Sequence, residues 1–340
     1  MTQPRQTQAA AQADQERAGE YITAAAAAMV TPMAVATSAA VAWLMARWAT
    51  VKVIRIAGRE AQFAAEAARI RAEYARRLTA VHPHLAPAAA REAAAGLQLG
   101  RELAGDRQKS ALPDDVAETV RGIDAVARAA VVHAVRTAER LPLATDTDAA
   151  TLASQATGAT AKARAYAAWT AATAVNAGTY QVAVERAGQL IWVAERDACL
   201  VCLALSGQVV QAGAEFDADL TFGDAPMPRF PIAEPTPLLH PPRHPHCRCH
   251  ARIYVDHPGP AGGSLPVVLA REAQRSALRG FSNHASHAAR LRAAARTAAR
   301  PGAPAGITIQ RRGRRDVGRS AFSSRHNELV PALPPGRGKR

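Results

Sequence analysis

A chain of 340 residues that is 49% hydrophobic but only 4% aromatic takes most of its apolar content from alanine, which favours helix and buries little surface per residue. That balance speaks against a compact enzyme fold and for long helices with thin, closely spaced cores, in one large domain or two of ordinary size. The net charge of +14 is segregated: residues 1–240 carry 23 Lys and Arg against 24 Asp and Glu, and residues 241–340 carry 19 against 4.

The first twenty residues are polar with acids mixed in. They resemble no secretory signal and read as a disordered arm, 1–20. Residues 21–46 contain no charge (YITAAAAAMVTPMAVATSAAVAWLMA) and are long enough to span a bilayer. They are mostly Ala, Thr and Ser around Pro32, with few Leu, Ile or Phe. A helix buried in protein or facing a subunit is therefore expected in preference to a membrane span.

From about Ile22 to Glu195 the pattern is helical, and residues 21–195 are expected to form an elongated domain of antiparallel helices. Proline-containing breaks fall at 79–87, 111–115 and 140–148. Asp114 and Asp115 are placed to start a helix at its positive end, and Thr147 and Asp148 are offered as caps. Between the breaks apolar positions recur at helical spacing: Val116, Val120, Ile123, Val126, then Val131 and Val132. The last helix is expected to run from about Ala149 to Glu195, with Tyr166, Trp169 and Thr173 on one side. Gly158, Gly178 and Gly188 are expected to weaken or kink it.

At Asp197 the character changes, and residues 196–256 read as a separate module. All four cysteines lie here, in DACLVC (Cys199, Cys202) and in HPHCRC (Cys247, Cys249), beside His240, His244, His246 and His250. LSGQVV (205–210) reads as a turn leading into a strand, and the proline-dense 216–245 cannot stay helical. CRCHARIYV alternates: Cys247, Cys249, Ala251, Ile253 and Val255 share one strand face, and Arg248, His250, Arg252 and Tyr254 the other. Four cysteines without a signal peptide suit a reducing compartment, which favours metal over disulfide.

Zinc takes four thiolate or imidazole ligands in a tetrahedron, and CxxC aims two sulfurs at one ion. The candidates are Cys199, Cys202 and Cys247, with His244 and Cys249 competing for the last place. His240, His246 and His250 read as solvent-facing or supporting. Asp197 and Glu195 lie near enough to serve as a general base, but the chain lacks an HExxH element and has no HxE within the cysteine-bearing module. A closed structural zinc fits better than a catalytic one. Residues 257–340 read as a basic helix (about Leu265 to Ala299) followed by a flexible tail without hydrophobic periodicity, and phosphates are its natural partner. The fold class is thus mainly α: an elongated helical N-terminal domain, a small α+β zinc-stabilised module, and a basic, partly disordered C-terminal tail.

The two motifs together, WVAERDACLVCLALSGQ (192–208) and HPHCRCHARIYV (244–255), resemble the Mu F-type minor head proteins of tailed phages, the phage head morphogenesis domain. In that family a helix ends in an aspartate just before CxxC, a small-Gly turn follows, and HPxCRC with a β-strand closes the domain. Asp197 falls on the aspartate, Cys199 and Cys202 on the pair, Gly207 on the turn glycine, and His244, Cys247, Arg248 and Cys249 on the closing motif. The resemblance covers about sixty residues in its motif-bearing part. It implies a non-enzymatic capsid component near the portal, in contact with portal and capsid proteins and with no small-molecule substrate. Such a protein resides in the virion head and, during assembly, in the host cytoplasm; the basic region would meet packaged double-stranded DNA. Two other classes compete: a zinc-dependent nuclease or other DNA-processing protein, and a membrane-anchored DNA-binding protein using residues 21–46. For the nuclease, the histidines of NHASH (283–287) and RHN (325–327) do not fall in the required hairpin-and-helix arrangement.

Overall fold

The computed structural model describes residues 8–81, 84–195, 198–217, 237–244, 247–255 and 264–279. Expectations for residues 1–7, Asp197, His246, the loop 218–236 and the chain beyond 279 lie outside these.

Helices dominate: α1 (Gln8–Ile56), α2 (Glu60–Thr79), α3 (Ala86–Leu103), α4 (Asp114–Arg140) and α5 (Asp146–Glu185) precede a strand β1 (Gln189–Val193), a short α6 (Leu200–Leu205), β2 (Val209–Gln211), β3 (His250–Tyr254) and α7 (Leu265–Arg279). The fold is therefore mainly α with a small sheet after the helices. All three proline-containing breaks fall between helices. A fourth break separates α1 from α2, where Gly58 adopts a φ of +72° that a side chain would resist.

Three expectations need correction. Residues 8–20, read as a disordered arm, are the first turns of α1. The last long helix does not reach Glu195: Gly188 and the positive φ of Ala187 (47°) end it, and Gln189–Val193 (QLIWV) pairs as the central strand, as its bulky and branched side chains favour. Gly188 thus lies beyond the helix, and α5 is unbroken through Gly158 and Gly178. Third, Thr147 is not a cap of α5; Asp148 is, with Thr145 as its counterpart. Thr145 Oγ1 accepts from Asp148 N at 3.1 Å, while Asp148 Oδ2 accepts from Ala144 N and Thr145 N at 2.9 and 2.8 Å, a reciprocal capping box with aspartate as its closing residue.

The chain divides into two compact units, neither continuous in sequence: one from Met1–Tyr21, Ala95–Ala111 and Ala172–Arg340, the other from Ile22–Ala94 and Leu112–Ala171. The expected boundary at 195/196 falls inside the first.

In the second unit, α1 buries one stripe: Ile22, Ala26, Met29, Val30, Met33, Ala40, Leu44, Trp48 and Val51. Leu44, Trp48 and Val51 meet Phe63, Ile70, Tyr74 and Leu78 of α2, Ala134 and Ala138 of α4, and Leu152 and Ala156 of α5. Trp48 lies edge-on to Phe63 at 6.1 Å and its Nε1 donates to Asp146 Oδ1 at 2.6 Å. Tyr74 donates to the Leu152 carbonyl at 3.1 Å. Asp124 of α4 accepts from Leu85 N (2.6 Å) and Ala86 N (3.2 Å), serving the start of α3 from another helix. Of the apolar positions at helical spacing in α4, Val116, Val120, Ile123 and Val131 are buried, Val126 is half-buried, and Val132 is exposed. Tyr166 and Trp169 are buried as expected. Helix α1 is long and apolar enough to cross a membrane by length and composition. Pro32 sits on its exposed side, where water can reach the carbonyl that proline's missing N–H leaves unbonded.

In the first unit the sheet has the order β2-β1-β3, antiparallel throughout, with Trp192 opposite Ala251 and Val193 opposite His250. Leu190 and Trp192 share one face with Cys247, Cys249 and Ala251; Ile191 and Val193 share the other with Tyr254 and Leu269 of α7. The expected alternation of the closing strand is therefore present. Its second face is not solvated: His250, Arg252 and Tyr254 are also buried, with Arg252 Nε 3.4 Å from Asp14 of α1. Helix α7, the first part of the expected basic helix, is thus built into the sheet's core.

Candidate metal centre

The two cysteine motifs converge through three local structures. Cys199 stands at the N-cap of α6 and Cys202 in its first turn, with Leu203 N donating to Cys199 O at 2.9 Å. N-cap and third helical position face the same way, which turns CxxC into a pair of convergent sulfurs. In the second motif Cys247 N donates to His244 O at 3.0 Å, which holds these two residues together. Cys249 then enters β3 on the core face.

After α6 the chain turns at Gly207, whose φ of +83° suits glycine; a Cβ there would also sit 2.3 Å from the Pro266 carbonyl oxygen. The turn glycine expected from the motif has a second task, letting α7 approach the backbone. Ser206 Oγ donates to Leu269 O of α7 at 3.5 Å.

His244 Nε2 lies 3.0 Å from Cys199 Sγ and 3.2 Å from Cys202 Sγ, and Cys202 Sγ lies 3.7 Å from Cys247 Sγ. The donors form two triads, Cys199–Cys202–His244 and Cys202–Cys247–Cys249, each with its ligand atoms within 4.8 Å of one another. Cys202 belongs to both. A tetrahedral zinc has edges of about 3.8 Å between sulfurs and about 3.5 Å between sulfur and nitrogen. The Cys202–Cys247 separation matches the first, and the His244 contacts fall within about 0.6 Å of the second. All four cysteines are free thiols, and 3.7 Å is far from the S–S bond of about 2.05 Å. Cys202, Cys247, Cys249 and His244 are buried and Cys199 is half-buried.

The electrostatics call for a cation. Hydrogen bonding from Cys202, aided by His244, holds the Cys199 thiol well below its ordinary range despite burial. Burial would raise Cys247, but hydrogen bonds from Cys202 and Cys249 keep it low. Cys202 is pushed up by its contacts with Cys199, Cys247 and Cys249, and Cys249 chiefly by burial. Four thiolates in one dry pocket would repel one another. A divalent ion removes that conflict. The cluster is therefore compatible with a bound metal, zinc included.

All five expected ligands, Cys199, Cys202, His244, Cys247 and Cys249, are brought together, and the other described histidines are not. His240 packs with its ring tilted against Tyr180, centroids 5.4 Å apart. His250 faces the opposite side of the sheet, its pKa pushed down to about 4 by burial, with Arg252 adding to the shift, so it is neutral near pH 7. The resemblance implied a helix running into the motif; a strand, β1, stands there instead.

Asn176 was missed by motif reading. Fully buried in α5, its Nδ2 donates to Cys249 O at 3.2 Å and its Oδ1 accepts from Ala251 N at 2.7 Å. One amide thus pairs the free edge of β3 as a neighbouring strand would, fixing the backbone that carries Cys249. The signal available in sequence was an asparagine inside an apolar helical run, TAATAVNAGTYQVAV. Asn176→Ala strands two buried backbone groups and is expected to cost about 1–3 kcal/mol for each, read by chemical denaturation of the full chain.

No family model matches the chain, and comparison with curated proteins and with solved structures finds no match.

Proposed function

We propose that this chain is a minor head protein of a tailed phage, of the Mu F type: a structural, non-enzymatic capsid component near the portal, with one closed zinc site. The observation that carries the reading is the convergence of DACLVC and HPHCRC, about 45 residues apart, on one buried set of thiols and imidazole. The described donors are nearly all out of solvent, which suits a closed site better than one keeping a place for water. Cys199, Cys202 and Cys247, with His244 or Cys249, would hold the ion. It would supply rigidity, tying α6 to the start of β3 across a proline-rich loop. The virion head, with portal and capsid proteins as partners, is the setting this reading implies.

The charge distribution supports a second part of the proposal, contact with packaged double-stranded DNA. Beyond residue 279 the chain carries 13 Lys and Arg against 2 acids. Deleting residues 280–340 is expected to flatten the dependence of DNA affinity on salt by about 0.9 in log–log slope for each phosphate no longer neutralised. Fluorescence anisotropy at several salt concentrations checks this, and an unchanged slope sinks the DNA contact. For the head role, the protein is co-expressed with portal and major capsid proteins and assembled heads are assayed for its incorporation. Chelator-sensitive plasmid nicking by the purified chain would instead favour a zinc nuclease.

A further inference from the structure

Helix α1 carries two apolar stripes, and among the described residues only one is packed within its unit. The inward stripe lies in the core described above. On the opposite side Ala24, Ala28, Thr31, Val35, Ala39, Ala42, Ala46, Ala49, Val53 and Ile56 follow one another at steps of three and four, and every one is exposed. That spacing is the seam of a coiled coil, about 50 Å long at 1.5 Å per residue. No charged residue falls on it. Arg47, Lys52 and Arg55 lie to its sides.

Helix α4, in the same unit, exposes Asp114, Asp115, Glu118, Arg121, Arg128, Arg136, Glu139 and Arg140, as a solvated helix ordinarily does. Four of the seven large hydrophobics exposed among the described residues belong to α1: Val35 (64%), Met45 (42%), Val53 (61%) and Ile56 (83%). Three of these, Val35, Val53 and Ile56, lie on the seam, and an uncharged face that carries them has no use for water.

We infer that this face pairs with α1 of a second copy of the chain, antiparallel, about a twofold axis passing near Ala39–Ala42. The seam's large residues are unevenly placed: Val35 lies before its centre and Val53 and Ile56 at its end, with alanine or threonine at the other positions. Antiparallel self-pairing about that centre sets Ile56 opposite the partner's Ala24, Val53 opposite the partner's Ala28, and Val35 opposite the partner's Ala46, so that each large side chain meets a small one. A parallel pair would set isoleucine on isoleucine at one end and alanine on alanine at the other. The alanines let two axes approach to the close end of the usual range of about 8–10 Å, and the self-complementary pairing is the isologous kind that closes at a dimer. A membrane span fits less well, because the inward stripe is occupied by protein.

The test is sedimentation equilibrium of the full chain with Val35→Glu and Ala42→Glu, and Ala129→Glu on an exposed site of α4 as control. Dimer is expected for the parent and the control. A glutamate buried in the seam raises the dissociation constant about 100-fold or more, with helical circular dichroism unchanged. Crosslinking of mixed Ala24→Cys and Ile56→Cys chains gives the heterodisulfide pair and little Ile56→Cys homodimer; the reverse pattern overturns the antiparallel geometry. A parent that stays monomeric, or seam variants as dimeric as the parent, overturns the proposal. So does flotation of the parent with phosphatidylglycerol-containing vesicles that the seam variants lose, which assigns the face to a lipid surface.

Discussion

Replacing Cys202 with serine is expected to abolish the proposed zinc binding and dissolve the module that the ion would close. Cys202 is the one sulfur common to both donor triads, so no set of four remaining donors is held together as closely. The apparent free energy of a structural zinc site is about 10–16 kcal/mol, as large as the whole stability of an ordinary domain, about 5–15 kcal/mol. The consequences spread along the chain from α6. That helix is one turn and a half long, with Cys199 and Cys202 at its start and Gly207 and Ser206 at its end, against α7. With α6 unanchored, α7 loses its seat and β1 loses the cover over Trp192. Metal analysis should fall from about one ion per chain to none, and hydrogen exchange should quicken in β1, β3 and α7. The core around Trp48 and Tyr74 contains no cluster residue and should keep its protection.

Single substitutions at the contested positions should behave differently. His244→Ala and Cys249→Ser each leave four donors, so each should retain one ion with weaker affinity. The cobalt-substituted spectra should differ, with four sulfurs in the first and three sulfurs and a nitrogen in the second. If Cys202→Ser keeps its metal and its protection, the site is not the one described.

How much of this was legible in the sequence depends on whether the cause was local. The closing strand could be read because alternation has a period of two and its apolar positions coincide with its cysteines: Cys247, Cys249 and Ala251 do share a core face. The helix breaks could be read because proline acts on its own backbone and its neighbour's. The end of α5 was misplaced because QLIWV suits a buried helix as well as a strand, and its pairing partner lies some sixty residues later in β3. Non-local causes also hid Asn176 and the cap Asp124, whose partners sit on other elements. Arg101 is the extreme case. It is 2% exposed, held by both oxygens of Glu185 at 2.8 Å and by Asp106, and nothing in RELAGD distinguishes it from a solvated arginine.

The glycines of α5 give the sharpest contrast between the two kinds of information, and the second large effect. By propensity Gly158 and Gly178 are equivalent, each costing a helix about 1 kcal/mol relative to alanine. A Cβ at Gly158 would meet nothing within 4 Å, whereas one at Gly178 would lie 2.1 Å from the Leu97 carbonyl oxygen and 3.0 Å from Arg101 N. Its counterpart on α3, Gly100, would place a Cβ 1.8 Å from the Val175 carbonyl oxygen, where Thr179 Oγ1 also donates to Gly100 O at 3.1 Å. The two helices therefore cross backbone to backbone, and no rotamer change can make room. Gly158→Ala is expected to stabilise the chain by about 0.4–1 kcal/mol. Gly178→Ala and Gly100→Ala must push α3 and α5 apart, at about 3 kcal/mol or more, a fall in Tm of roughly 6–12 °C. Because the same crossing holds Asn176 two residues before Gly178, those two variants should also loosen β3 and bind metal more weakly, while Gly158→Ala leaves metal affinity unchanged. Thermal melts with parallel metal titrations decide it: equal responses at 158 and 178 would mean that helix propensity, and not the crossing, governs both positions.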